Sequence, residues 1–480
     1  NRVPTATRFS AILPGRRFEG STRRPGGRRA SAGGVRLTAS DTELAFLPAV
    51  ALGHLLRTRQ VTSTRLTELY LNRLERYDPS LRCVVALTRE RALTQAREAD
   101  RLLAQGRQLG PLHGVPYGVK DILSVPGYPT TWGAAFYQNR IIDETATVVE
   151  RLDAAGAVLV AKLAMGELGL NDTWYRGQTM NPWVPTRGAT GSSSGSAVAT
   201  AAGLVGFAIG AETMGSIVSP SSRTGVTGLR PTFGRVSRHG AMTLCWSLDK
   251  IGPMARSVED CAVILEAIAG PDGKDPSVEP IPFAWDPDRP LASIRVGYFK
   301  AAFDAPRPGS ERDAAALRRL ADLGVNLVPV ELPTDLPVNA LLIVRVEAAA
   351  AFGQIAGSPE LARLTDQGET GWPNFIRSGQ FVPAVDYLQA QRIRTMLMER
   401  LDAVFQAVDV FVTPTFGVVP VTNLTGHPVV VAPNGRDADG VPASLTFVGR
   451  LFDEARLCTV ARAWQDATGF HQQHPTGFDS

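Results

Sequence analysis

Two serines and one lysine carry the clearest chemical signal in this 480-residue chain. Ser192 stands in the turn Gly191-Ser192-Ser193-Ser194-Gly195. Ser216 follows Met214-Gly215, 24 residues on, beyond an apolar run. A Gly/Ser tract is often a linker, but this one is short and bounded by apolar segments, which suits a linker badly. A serine hydroxyl becomes a useful nucleophile when a base takes its proton. The six histidines (His54, His113, His239, His427, His471 and His474) fall in no GxSxG elbow and near neither serine turn. A Ser–His–Asp set could still assemble in space, but spacing does not point to one. The other available base is a neutral lysine. Five of the 50 basic residues are Lys and 45 are Arg. Arg keeps its proton in proteins, so a Lys in an apolar setting invites a question about its charge. Lys120 follows GVPYGV and precedes Asp121-Ile-Leu, where desolvation would lower its pKa.

In order, the segments GVPYGVKD, GSSSGSAVATAAGL, GAETMGSIVSPS and GLRPTFGRVSRHG…SLDKIGPMARSVEDCA resemble the amidase signature family. The likeness spans most of residues 41–270 and returns at DVFVTPT and the C-terminal end. It implies an α/β amidase signature fold, a large mixed central sheet flanked by helices on both faces. It also implies a Ser–cis-Ser–Lys triad. In that triad Lys120 is the base and Ser192, after a cis bond from Gly191, relays the proton. Ser216 is the nucleophile that becomes the acyl-enzyme. The N–H groups of Thr213, Met214, Gly215 and Ser216 would form the oxyanion hole, with Gly191, Ser193 and Asp121 in support. No metal and no cofactor are implied. Four positions depart from the family's pattern: Met214 and Ser194 replace Gly, Glu212 replaces Asp, and Val218 replaces Arg. The last removes a structural ion pair, for which Arg223 is the candidate replacement.

The elements that must position these residues follow from periodicity. Helical patterns run over 48–57, 63–77 (Ser63 or Thr64 as N-cap) and 86–105. A helix, a turn at Gly156 and a strand at 157–161 set an α/β rhythm. GSAVATAAGL suits a buried helix and VGFAIG a buried strand. Residues 270–290 form a Pro/Asp-rich connection. Short strands are expected at IRVGYF, VNLVPVEL and VFVTPT, then a long helix over 385–407. Two strands and a closing helix end the chain. Residues 41–480 read as one amidase domain. Residues 1–40 hold nine Arg and one acid, Glu19, and carry +8; the whole chain's +4 therefore leaves −4 for the remainder. This Arg-rich tail reads as a disordered extension, with a transit peptide or anion-binding arm as the functional alternative.

Composition excludes several classes. The 44% apolar and 20% charged content is that of a globular chain. No apolar run of about 18 residues predicts a spanning helix. Cys83, Cys245, Cys261 and Cys458 form no CxxC pair, so a disulfide framework or zinc site is not expected and a reducing, cytoplasmic compartment fits, organellar if the tail directs it there. Lys162 reads as a structural cation, Asp121 as an organiser of the loop around Lys120, and His113 and His239 as structural. Trp132, Trp174 and Trp246 are equally candidates for a substrate pocket or for core and rim. The Asn423-Leu424-Thr425 sequon carries no meaning without a signal peptide.

Three functions remain. The first is a serine hydrolase of amides, open to carbamates in the manner of a urethanase and to esters. It would act on small molecules as a monomer or homodimer, with no nucleic acid and no membrane involved. The second is the glutaminase subunit of a tRNA-dependent amidotransferase, which would need partner chains; WPNFIRSGQFVPAVDYLQAQ resembles general amidases more than the glutamine-binding region of those subunits. The third is a non-catalytic amidase-like binding protein, suggested by Met214 and Val218.

Overall fold

The computed structural model describes residues 40–479 apart from 334, 337 and 338. The Arg-rich tail, Ser40 excepted, lies outside the described residues. In chain order the strands are β1 (Val84–Leu87), β2 (Pro116–Lys120), β3 (Val158–Leu163), β4 (Thr173–Trp174), β5 (Gly177–Gln178), β6 (Phe207–Glu212), β7 (Thr227–Arg230), β8 (Lys250–Ala255), β9 (Val296–Phe299), β10 (Leu327–Val330), β11 (Val410–Pro414), β12 (Val429–Arg436) and β13 (Pro442–Gly449). Eleven form one sheet in the order β1-β3-β2-β6-β8-β7-β12-β13-β11-β9-β10, and β4 and β5 form a separate ribbon. The sheet is mixed: β3, β2 and β6 run parallel, as do β11, β9 and β10, while the strands between them pair antiparallel.

The central strands are apolar almost throughout because both faces are covered. Side chains alternate across a strand. Leu159, Tyr117, Val119, Phe207 and Ile209 enter one core, which takes Ile264, Leu265 and Ile268 from helix Val258–Ile268 and Leu457 and Val460 from helix Glu454–Thr468. Val158, Val160 and Ala208 enter the opposite core with Leu71 and Leu74 of helix Ser63–Leu81, Ala92 and Ala96 of helix Arg89–Ala104, and Val198 and Ala199 of helix Ser194–Ala201. Each fully buried Leu, Ile, Val or Phe contributes about 1.5–3 kcal/mol, and truncating one such as Leu159 to Ala would cost about 2–5 kcal/mol.

Two local expectations shift. The helix expected over 86–105 is a strand and a helix, because Val84–Leu87 adds to the outer edge of β3 before helix Arg89–Ala104 starts. The cap of helix Ser63–Leu81 is Thr62, whose hydroxyl accepts from Arg65 N–H at 3.1 Å. Ser63 and Thr64 are drawn into tertiary contacts instead: Ser63 donates to Gly114 O (2.8 Å) and Thr64 to Asp100 Oδ2 (2.7 Å). Capping chemistry is short-ranged, and neighbouring hydroxyls compete for the position.

Candidate active site

β2, β3 and β6 end on the same edge of the sheet, the edge where open α/β sheets take ligands. Lys120 closes β2 and Glu212 closes β6. Beyond β3, the backbone of 164–166 holds the serine turn: Gly195 N–H donates to Ala164 O (3.0 Å) and Gly166 N–H to Ser192 O (3.3 Å). The Gly191–Ser192 peptide is cis. A Cβ on Gly191 would fall 1.8 Å from Asn171 O, so the turn admits no side chain there.

Lys120 and Ser192 are buried, at 1% and 2% exposure. Lys120 Nζ donates to Ser192 Oγ (2.8 Å) and to Ala211 O (3.1 Å). Ser193 joins the two serine loops: its hydroxyl donates to Ala211 O (3.0 Å), and its N–H donates to Ser216 O (3.2 Å). Ser216 Oγ has no hydrogen-bond partner among the described residues. It is not bonded to Ser192 Oγ, but both serines and Lys120 line one inner cavity of about 270 Å³. Ser216 also lines an outer cavity of about 1470 Å³, with Met214 and Gly191.

Burial pushes the Lys120 ammonium down to about 7, against the opposing pull of Asp249 and Glu212. Among the described residues no carboxylate lies within ion-pair distance of Lys120. Glu212 is different. Burial alone would raise its pKa, but Arg230 at 2.6 Å and the Val218 N–H hold it near 2. Asn423 Nδ2 and Ile217 N–H complete its partners, each at 2.8 Å. The replacement ion pair is therefore made by Arg230, not by Arg223. Arg230 closes β7, two strands from β6 across β8, and only the sheet order brings it to Glu212. Glu212 also fixes the turn that carries Ser216. The N–H groups of Ile217 and Val218 are bound to it, whereas those of Thr213, Met214, Gly215 and Ser216 donate to no acceptor among the described residues. Such a run is unusual, since buried N–H groups are nearly always paired. The left-handed residue of the turn is Gly215 (φ 100°), so Met214 occupies the family's glycine position without needing a glycine's conformation. Its half-buried side chain packs near Cys245, Leu248 and Val344.

Asp121, next to Lys120, is tied to the 129–131 loop and to β3. Its Oδ2 accepts from the N–H (2.8 Å) and hydroxyl of Thr131, and its Oδ1 pairs with Lys162 at 2.7 Å. Lys162 is thus a structural cation, inside β3 rather than after it. Ser194 takes its glycine position by turning its hydroxyl to Thr179 Oγ1 (3.3 Å). Trp174 is core, Trp132 packs under Arg140, and Trp246 alone of the three lines the inner cavity. His113 is buried against Ala99 O, and His239 reaches the inner cavity's rim and pairs with Glu144. Sequence reading passed over Asp249 and Lys250, although both stand in the quoted SLDKIGP. Asp249 Oδ1 accepts from Thr213 Oγ1 (2.6 Å), and Oδ2 from Leu244 and Cys245 N–H, tying the unpaired turn to β8. Burial lowers the Lys250 pKa and raises that of Asp249. Among the described residues no group of three His, Cys, Asp or Glu could hold a metal ion, and no helix is long and apolar enough to cross a membrane.

A family model described as Amidase matches residues 65–422. A glutamyl-tRNA(Gln) amidotransferase subunit of Chloroflexus aurantiacus is 37% identical over 489 residues, covering 90% of this chain and 99% of that one. A Mycobacterium tuberculosis chain that bears the name amidase AmiD is 37% identical over 469 residues, covering 91% and 97%. Among solved structures, the native peptide amidase of Stenotrophomonas maltophilia superposes with a TM-score of 0.81 at 30% identity, over 92% of this chain and 100% of that one. The chain belongs to the amidase family and is an amide-hydrolysing enzyme of the amidase signature fold.

Proposed function

We propose that the enzyme cleaves C–N bonds of small amides through an acyl-enzyme on Ser216. Ser216 Oγ attacks the carbonyl carbon and passes its proton to Ser192, whose own proton goes to neutral Lys120 Nζ. The resulting oxyanion is met by the free N–H groups of Thr213, Met214, Gly215 and Ser216; each such donor is worth about 3 kcal/mol of barrier. Collapse breaks the C–N bond, and the amine leaves with the proton returned through Ser192. Water then attacks the ester by the same relay and frees the acid. Carbamates and esters present the same carbonyl, so they fall within reach of the same chemistry. The observation that carries this reading is the 2.8 Å contact from a buried, carboxylate-free Lys120 to Ser192, inside a cavity that Ser216 shares. The one missing link, Ser216 to Ser192, is of the kind that tightens on substrate binding. The test is a fluorophosphonate and a 4-nitroanilide given to the isolated chain. Labelling of Ser216 together with nitroaniline release is expected; a folded chain that shows neither defeats the proposal.

A second reading, the glutaminase component of an amidotransferase, is favoured by the likeness to the Chloroflexus protein over 99% of that chain's length. Glutamine turnover that begins only when partner chains are added would select it; turnover of simple amides by the chain alone selects the first, with the chain acting as a monomer or homodimer.

A further inference from the structure

The outer cavity beside Ser216 is lined by three arginines, Arg223, Arg345 and Arg377. Among the described residues none of their guanidinium groups makes an ion pair or a hydrogen bond, and Arg345 Nε is buried with no partner. Arg230 and Arg256, which also have an unpaired buried Nε, spend their remaining N–H groups on a carboxylate or on carbonyls, although Arg289 does not. Arg345 spends none. Its guanidinium lies 4.9 Å from the Phe375 ring, and that of Arg223 lies 5.6 Å from the Phe416 ring; both rings line the same cavity. A guanidinium resting on an aromatic face keeps its N–H edge free for an acceptor.

Arg345 and Arg377 come from two helices, Ala340–Ala351 and Trp372–Gly379, and Gly379 lets these helices meet. A Cβ there would fall 2.4 Å from Arg345 O and 2.7 Å from Ala349 Cβ. The lining acids do not balance the three cations. They are two against three: Asp172, which accepts from Thr190 N–H (2.8 Å) and Gln178 Nε2, and Glu369, which is exposed. Three unspent cations beside a reactive serine match an oxyanion ligand.

We propose that this cavity is an anion subsite and that the amides cleaved at Ser216 carry a carboxylate held by Arg345 and Arg377, with Arg223. The proposal rests on the reading of Ser216 as the nucleophile. The carboxylate can belong to the acyl part or to the amine part, and two substrate pairs separate these. The first is the mono-4-nitroanilide of glutaric acid against its methyl ester; the second is N-acetyl-4-aminobenzoate against N-acetyl-4-aminobenzamide. In at least one pair the anion should be preferred in kcat/KM by about tenfold or more, as charge-assisted hydrogen bonds allow. The double substitution Arg345→Met, Arg377→Met should bring that ratio near one, and Arg345→Lys should keep part of it. Arg101→Met, at an exposed pair with Glu98, should leave the ratio alone. Arg377→Met by itself, at an exposed position, serves if the double variant does not fold. Calorimetry of glutarate with the Ser216→Ala variant reads the subsite without chemistry, and adding the two Met substitutions should weaken binding about tenfold. Equal or better use of the neutral member in both pairs, or a ratio or glutarate affinity that survives loss of both arginines, overturns the subsite. Full hydrolysis by Ser216→Ala overturns the nucleophile instead.

Discussion

Lys120 ends β2 and Lys162 is the next-to-last residue of the neighbouring parallel strand β3, one residue apart in register, since Val119 pairs with Lys162 and Lys120 with Leu163. Both side chains are closed to solvent, and burial pulls both ammonium groups below the ordinary lysine value. Their surroundings differ in one respect. Lys162 meets Asp121 at 2.7 Å and adds Pro129 O and Thr130 Oγ1, so its charge is matched and its donors are used. Lys120 meets a hydroxyl and a carbonyl, and the nearest opposing charges, Asp249 and Glu212, act from beyond contact. A contacting carboxylate keeps a buried amine as a cation; without one, the same amine sits near neutrality and can take a proton. The neighbouring strands therefore hold a structural lysine and a base of the kind the proposed relay needs.

The hardest blow to this contrast is to remove the amine. Lys120→Ala should lower kcat/KM on a 4-nitroanilide by about a thousandfold or more, and Lys120→Arg nearly as much, because a guanidinium stays protonated. A folded Lys120→Ala enzyme with near-full rate would end the assignment. Next is stability. Lys162→Met leaves the Asp121 carboxylate buried without its cation and should cost about 3–5 kcal/mol in urea unfolding. Lys120→Met orphans no carboxylate and should cost far less at pH 8; equal losses would mean that the two lysines do the same job. Acidity comes third. With Lys120 near 7, kcat/KM should climb about tenfold per pH unit below that value and level off above it. Stability should also rise between pH 7 and the ordinary lysine value of 10.5, because there the unfolded chain binds a proton that the folded one does not. That rise should shrink in Lys120→Met. The smallest effect is expected from Asp121→Asn added to Lys162→Met, which should restore about 1–3 kcal/mol by removing the unpaired charge.

Much of this was legible from residue types. The apolar run at 157–161 and VGFAIG announced buried strands, and GSAVATAAGL a tightly packed helix, because burial on both faces leaves no room for polar alternation. The role of Lys162 was readable from its setting. What escaped were contacts between residues far apart in the chain. Arg223 lies closer in sequence to Glu212 than Arg230 does, yet Arg230 holds the acid because the sheet order brings β7 near β6. Asp249 was invisible as a partner of Thr213 for the same reason.

The sequence by itself determined the chemical inventory: a rare lysine in an apolar segment, two serine turns, glycines at 191 and 215 where a side chain or an ordinary φ would not fit. Tertiary structure alone decided which lysine kept a counter-charge, which arginine met Glu212, and which N–H groups of the 213–216 turn stayed unpaired. Proton affinity and hydrogen-bond satisfaction depend on distance and on exclusion of water. Both are set by packing between segments that the linear order keeps apart.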